Sequence, residues 1–339
     1  MHISNTLSLI FLSALLIFSS VSQARSMDWK LQHIETTQPV TEILQLSSTR
    51  LLLKSGAQWY QAHWCGLKLC LKATKTPRKR RPPKGGMADG GVAAHQSPGL
   101  VSAWYSQPTR RYDHGILGDR IEGGSLSAKD HKGKLYTYKL STNEVFEDLT
   151  PRLVDLNGDG RAEIVTIRSF LDAGASLAVF ALRKNKLQLI ASTPPIGIPH
   201  RWLNIAGIQD LNGDGSIDIA TVVTPHIGGT LKIWSFSGSR LIRTTSAYGF
   251  SNHFIGSRNL DLSAIGDVNA DGKPDIAIPD AARHQLRIMT LSGGKLEQTG
   301  IINLPASIVE NIGLLHHPSS TRSAYLLGLS NGALIATIN

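Results

Sequence analysis

A nine-residue acidic pattern occurs three times in this chain and restricts its fold more than any other feature. Asp155-Leu-Asn157-Gly-Asp159-Gly160-Arg-Ala-Glu163 is followed 55 residues later by Asp210-Leu-Asn212-Gly-Asp214-Gly215-Ser-Ile-Asp218, and 57 residues after that by Asp267-Val-Asn269-Ala-Asp271-Gly272-Lys-Pro-Asp275. Oxygen-bearing side chains at positions 1, 3, 5 and 9, with Gly at 6, are what a hard cation requires of a tight loop. Alternate side chains turn inward, the Gly permits the sharp bend, and the carbonyl at position 7 adds a ligand. Those carbonyls belong to Arg161, Ser216 and Lys273. A single copy would read equally well as a polar turn, whereas three copies at near-constant spacing describe a repeat.

An EF-hand shares the first five spacings but places a bidentate Glu at position 12 and continues into a helix. Here position 12 is Thr166, Thr221 and Ile278, and each loop runs into a β-branched stretch such as Ile219-Ala-Thr-Val-Val223. These stretches predict strands, so each loop belongs in a β-hairpin. Such loops between strands closely resemble the calcium loops of FG-GAP/VCBS repeats, the repeat of integrin α-subunits and of many exported bacterial proteins. The resemblance covers residues 150–304 well and the rest weakly. It implies an all-β fold, a β-propeller of four-stranded blades, with up to three Ca2+ ions in loops between the first and second strands.

Strand signatures recur in register with the loops. Third strands are expected at Leu135-Tyr-Thr-Tyr138, Leu177-Ala-Val-Phe180, Leu231-Lys-Ile-Trp234, Leu286-Arg-Ile-Met289 and Leu334-Ile-Ala-Thr337. Fourth strands are expected at Lys186-Leu-Gln188, Arg240-Leu-Ile242 and Lys295-Leu-Glu297. The C-terminal unit lacks a fourth strand, and Lys30-Leu-Gln-His-Ile-Glu35 carries its signature. The N-terminal strand is therefore expected to complete the last blade, removing two exposed sheet edges. A first blade is expected over Val40–Thr74 and a second over Asp113–Leu149, with Gly115–Asp119 as its first strand and no ion in the turn Arg120–Gly124. Six blades result, or seven if Gly91–Tyr105 hides an irregular one.

The chain has 339 residues, 32 of them Gly, few aromatics and no sustained helical periodicity, which suits one repeat-built β domain. Residues 1–24 read as a secretory signal, with an apolar core from Leu7 to Phe18 and small residues before a cleavage point after Ala24. No later segment approaches spanning length, so a periplasmic or secreted protein is expected. Export favours a Cys65–Cys70 disulfide stapling a tight hairpin, with two free thiols as the alternative. Much of the formal net charge of +10 lies between Lys72 and Lys84, within a Pro- and Gly-rich insertion at about 72–112. The run reads as a solvated loop or as a polyanion contact. Nucleic acid is not the expected partner, because no stacking aromatic is interleaved with the charges.

In a propeller the acidic loops share one end with the third-to-fourth strand turns, and the remaining loops gather at the other end. That other end collects His114, Asp172, His200, Arg201, Trp202, His226, Asn252, His253, Arg258, Asp280, Arg283 and His284. An aromatic plane with Arg, His and Asn suits an anionic sugar or a peptide carboxylate. No motif fixes a nucleophile, a base and an oxyanion donor together, and a transition metal would need imidazoles converging from several blades. The expectation is a non-enzymatic scaffold for a protein or glycan, with a polysaccharide lyase or hydrolase at the histidine-rich end as the alternative.

Overall fold

The computed structural model describes residues 28–96 and 98–339, which form strands and turns with no helix among them. The expected leader, residues 1–24, lies outside the described residues. The first strand, β1 (Lys30–Ile34), belongs to a sheet completed at the far end of the chain. Next come β2 (Val40–Ser47), β3 (Arg50–Ser55), β4 (Gln58–Cys65) and β5 (Lys68–Thr74), an antiparallel sheet in chain order. Its last hairpin turns at Gly66, in the left-handed region at φ 64°, and carries the Cys65–Cys70 disulfide across a Cα separation of 5.9 Å.

The strands β6 (Ala93–Ala94), β7 (Leu100–Thr109), β8 (Glu122–Asp130) and β9 (Leu135–Lys139) pair in the order β6-β7-β8-β9. A short strand, β10 (Glu144–Phe146), lies between β8 and β12 and fuses this unit to the next: β11 (Arg152–Val154), β12 (Glu163–Phe170), β13 (Gly174–Arg183) and β14 (Lys186–Ser192). Then follow β15 (Leu203–Gln209), β16 (Asp218–Val223), β17 (Thr230–Phe236) and β18 (Leu241–Tyr248), and after them β19 (Ala264–Gly266), β20 (Asp275–Pro279), β21 (Gln285–Ser292) and β22 (Lys295–Asn303). The last three, β23 (Gly313–His316), β24 (Ser323–Gly328) and β25 (Leu334–Ile338), take β1 as their fourth strand. Five residue pairs run antiparallel from Lys30–Ile338 to Ile34–Leu334.

Each sheet grades from inside to outside. The second strands β12, β16, β20 and β24 are buried almost throughout, whereas the fourth strands β18 and β22 are largely exposed. Burial on both faces explains why the second strands read as near-continuous apolar runs without alternation. Apolar clusters fill the spaces between successive sheets, for example Leu100, Tyr105, Phe146, Ile164 and Phe180 between the β6–β9 and β11–β14 units. Inner strands pack in series: β7 on β11, β15 on β19, β19 on β23, and β23 on β2. Side-chain amides lock the junction between the first and last sheets at two points. Gln32 donates to the Leu69 carbonyl at 2.7 Å and accepts the Leu69 N–H at 2.8 Å, while Gln45 does the same for Leu314 at 2.9 Å in both directions.

The second unit corrects the sequence reading. Gly115–Asp119 is loop, the expected third strand at Leu135 is the fourth, and the unit begins inside the supposed insertion. Met87 is buried there and its N–H donates to the Tyr105 carbonyl, and Gly91–Tyr105 supplies β6 and most of β7 in place of a seventh sheet. The segment that remains linker-like is 75–84.

The acidic loops join β11 to β12, β15 to β16 and β19 to β20. Gly160, Gly215 and Gly272 have φ of 81°, 85° and 85°, which explains the fixed Gly at position 6. Position 4 is left-handed too, at Gly158 and Gly213, but the third loop puts Ala270 there at φ 60°. A side chain in this region costs about 1 kcal/mol or more, partly offset by the greater chain entropy of Gly. Gly213→Ala should therefore destabilise by about 1 kcal/mol, and Ala270→Gly should be neutral or stabilising by about 0.5 kcal/mol. Urea melts of both variants check this, and equal shifts of the same sign would contradict it.

Candidate functional site

The antiparallel topology sends the β7–β8, β12–β13, β16–β17 and β20–β21 connections, and the links between successive sheets, to one end of the strands. The acidic loops leave from the other. At the first end, β10 places Glu147 in the interior. Glu147 is 0 % exposed, meets His114 Nδ1 at 2.5 Å, accepts the Ser169 hydroxyl at 2.6 Å, and offers its backbone carbonyl to Trp202 Nε1 at 2.9 Å. Burial pushes its carboxyl pKa up, and the contacts with His114 and Ser169 oppose that shift. His114 stacks on His200 with ring centroids 5.2 Å apart, and the Tyr112 hydroxyl accepts the His200 backbone N–H at 3.1 Å.

A second group adjoins the first. His226 lies parallel to the Trp202 ring at 6.1 Å, and its Nε2 is 2.8 Å from His253 Nδ1, while His253 Nε2 is 2.9 Å from the Ser257 carbonyl. A carbonyl only accepts, so His253 Nε2 carries a proton and its Nδ1 takes the proton offered by His226 Nε2. That leaves His226 Nδ1 as a bare acceptor. Burial, reinforced by nearby positive charge, lowers His226 to about 3 and His253 to about 4, so both rings are neutral at ordinary pH. Arg283 faces this pair, with its guanidinium over the Phe254 ring at 5.6 Å and Nη1 donating to the Ser251 hydroxyl at 3.2 Å. His200, Thr224 and Arg283 all adopt left-handed backbone at φ 56°, 53° and 59°, a strain that side-chain-bearing residues usually avoid.

The structure thus brings together His114, His200, Trp202, His226, His253 and Arg283. Trp202 is 2 % exposed and sits under His226 as a core residue, so it offers no open stacking plane. His253 and Asn252 are fully buried, and Asn252 takes the Asn204 amide on its backbone carbonyl. Asp280 closes a turn by accepting the Ala282 and Gln285 N–H groups. Arg258 clasps Asp89 and Asp119, the latter at 2.7 Å. Arg201 reaches the His200 carbonyl at 3.3 Å, while Asp172 and His284 stand exposed on separate turns.

Sequence reasoning missed Glu147, Ser169, Phe254 and Glu122. Glu122 is 2 % exposed, and burial with the charges of Glu147, Asp119 and Asp89 nearby raises it to about 10. Pairing of β8 and β12 with β10 carries Glu122 and Glu147 inward, and no local pattern marks them.

At the opposite end the three acidic loops share one geometry. The position-1 carboxylates of Asp155, Asp210 and Asp267 accept the N–H of the position-6 Gly at 2.8, 2.8 and 2.9 Å. Asn157, Asn212 and Asn269 accept the position-5 N–H, and Asp159, Asp214 and Asp271 accept the N–H of Arg161, Ser216 and Lys273. Glu163, Asp218 and Asp275 are buried, and burial raises all three, Asp275 to about 6, with the loops' own aspartates adding to the shift. No Lys or Arg pairs with these acids among the described residues. The donor set is all oxygen and negatively charged, which fits a hard cation. In this geometry the carboxylates are held by backbone N–H groups, and among the described residues no three His, Cys, Asp or Glu side chains close on a common centre.

The basic run keeps its seven cations exposed, with Lys79 paired to Glu42 at 2.5 Å. Arg80 lines a pocket of about 650 Å³ with Ala94, His95, Gln96, Val101 and Ser102, remote from the histidine end. Among the described residues no helix is long and apolar enough to cross a membrane. Compared with known proteins, the chain matches no family model and no curated sequence.

Proposed function

We propose that the chain is an exported six-bladed β-propeller of the FG-GAP/VCBS type that works as a binding scaffold for a protein or glycan. Four four-stranded sheets, one of them completed by β1, and a nine-stranded sheet in which β10 fuses two further four-stranded units support the propeller reading. Up to three Ca2+ ions would sit in the acidic loops, held by Asp155, Asn157, Asp159, the Arg161 carbonyl and Glu163, and by the matching residues of the other two loops. Each ion would neutralise a cluster of like charges and tie down its hairpin.

The observation that carries the binding reading is the gathering of His114, His200, His226 and Arg283 from four separate connections at the end away from those loops. Loops fixed by a rigid scaffold commonly carry recognition. The groups present do not form a catalytic set. Both His226 and His253 spend a nitrogen on holding each other, and Glu147 and its partner His114 are anchored in the interior. The test is a screen of the calcium-loaded chain against acidic oligosaccharides and peptide pools, with His200→Ala and His226→Ala as variants. Saturable binding weakened at least tenfold in either variant, without turnover, is expected. Turnover of an acidic glycan that disappears in His226→Ala would establish the enzymatic alternative instead.

A further inference from the structure

We infer that the ligand of the histidine end is a peptide segment bearing a carboxylate, read by Arg283 together with His226. The inference rests on the binding-scaffold reading and narrows it. Arg283 is the anomaly that carries it. Its guanidinium is partly buried, its Nε is sealed from water with no acceptor, and no carboxylate lies within ion-pairing distance among the described residues. The charge of Asp280 acts on it from beyond ion-pairing distance, so the partly desolvated guanidinium is under-compensated, and an incoming carboxylate would relieve that cost. Beside it, His226 Nδ1 is a bare acceptor, fixed by the proton chain to His253 and the Ser257 carbonyl. A fixed cation next to a fixed neutral acceptor matches a carboxylate next to a peptide N–H.

The surroundings favour a peptide over a sugar. Sugar recognition uses several open aromatic planes and side-chain amides, whereas here Trp202 and Asn252 are buried and the open ring is Tyr248, 72 % exposed beside Gly228. Exposed with it are Ile198, Ile227 and Ile255 at 53 %, 60 % and 68 %, on the three loops that carry His200, His226 and Phe254. Aliphatic side chains around an Arg are suited to packing apolar peptide side chains, in keeping with the makeup of protein–protein interfaces.

The probe is a pool of random hexapeptides in two forms, free acid and C-terminal amide with Asp and Glu omitted, measured by fluorescence anisotropy alongside oligogalacturonate. Binding of the free-acid pool should exceed that of the acid-free amide pool by tenfold or more. Arg283→Gln should remove that preference, with an unchanged melting temperature as the folding control. Ile227→Ser should weaken binding of the free-acid pool several-fold while keeping the preference. Equal binding of the two pools, or a preference that survives Arg283→Gln, overturns the inference. Arg283-dependent binding of oligogalacturonate alone overturns the peptide assignment and leaves the scaffold reading standing, whereas turnover of either probe removes the scaffold reading itself.

Discussion

Chelating calcium from the folded protein is expected to lower its melting temperature by roughly 10–20 °C. An ion that binds the folded chain alone, at a free concentration one hundred times its dissociation constant, contributes about 2.7 kcal/mol, so three ions contribute on the order of 8 kcal/mol. For a chain of this size each kcal/mol moves the midpoint by about 2 °C. The effect should separate by loop. Asp214→Ala deletes the proposed position-5 ligand, an exposed side chain whose protein contacts are confined to its own loop, the N–H of Ser216 and the Asn212 amide. Its cost should therefore approach 3 kcal/mol in calcium and fall below 1 kcal/mol in chelator. Differential scanning calorimetry of parent and variant in both conditions decides the matter. Identical parent melts with and without chelator would remove calcium from the account.

Removing residues 28–37 should be the most damaging small truncation. It strips β1 from β25, losing a five-pair ladder, the reciprocal Gln32–Leu69 hydrogen bonds and the burial of Ile34. At about 1 kcal/mol per hydrogen bond and about 2 kcal/mol for the isoleucine, the loss is on the order of 8 kcal/mol, a large part of a typical folding stability of 5–15 kcal/mol. The bare β25 edge would also recruit a second chain, so the truncated protein should elute as dimers and larger species. A synthetic peptide covering residues 28–37 should restore monomers when added. A truncated chain that stays monomeric with an unshifted melting temperature would contradict this reading of β1.

How much of this was legible depended on what each segment had to do locally. The acidic loops were readable because their chemistry is largely self-contained: the side chains at positions 1, 3 and 5 each accept a backbone N–H within their own loop, and the Gly follows from a positive φ. The pairing of β1 with β25 was readable because one unit lacked a strand and another segment carried its signature. The β6–β9 unit was hidden, since its residues look like a turn-rich linker. Gly123 and Gly124 sit mid-sheet because a Cβ would lie 2.9 Å from the Tyr105 Cβ or from the Gln107 carbonyl, and Gly91 is required by Thr150 at 2.2 Å. Close packing against distant residues selected those glycines, and sequence alone makes them resemble turns.

The candidate site divides along the same line. Placing the histidines at one end followed from strand order and loop count. Their roles did not follow. Which ring is buried, which nitrogen is spent on a neighbour, and whether Trp202 lies over or under the site are set by packing between sheets. Glu122 and Glu147 became interior groups because β10 is shared by β8 and β12, a pairing that has no local mark.

Direct counting of ions tests the central claim. Calorimetric titration of calcium into the chelator-treated protein should give about three ions per chain, about two for Asp214→Ala, and about one when Asp271→Ala is added. Absence of binding, or a stoichiometry that these substitutions leave unchanged, would contradict it.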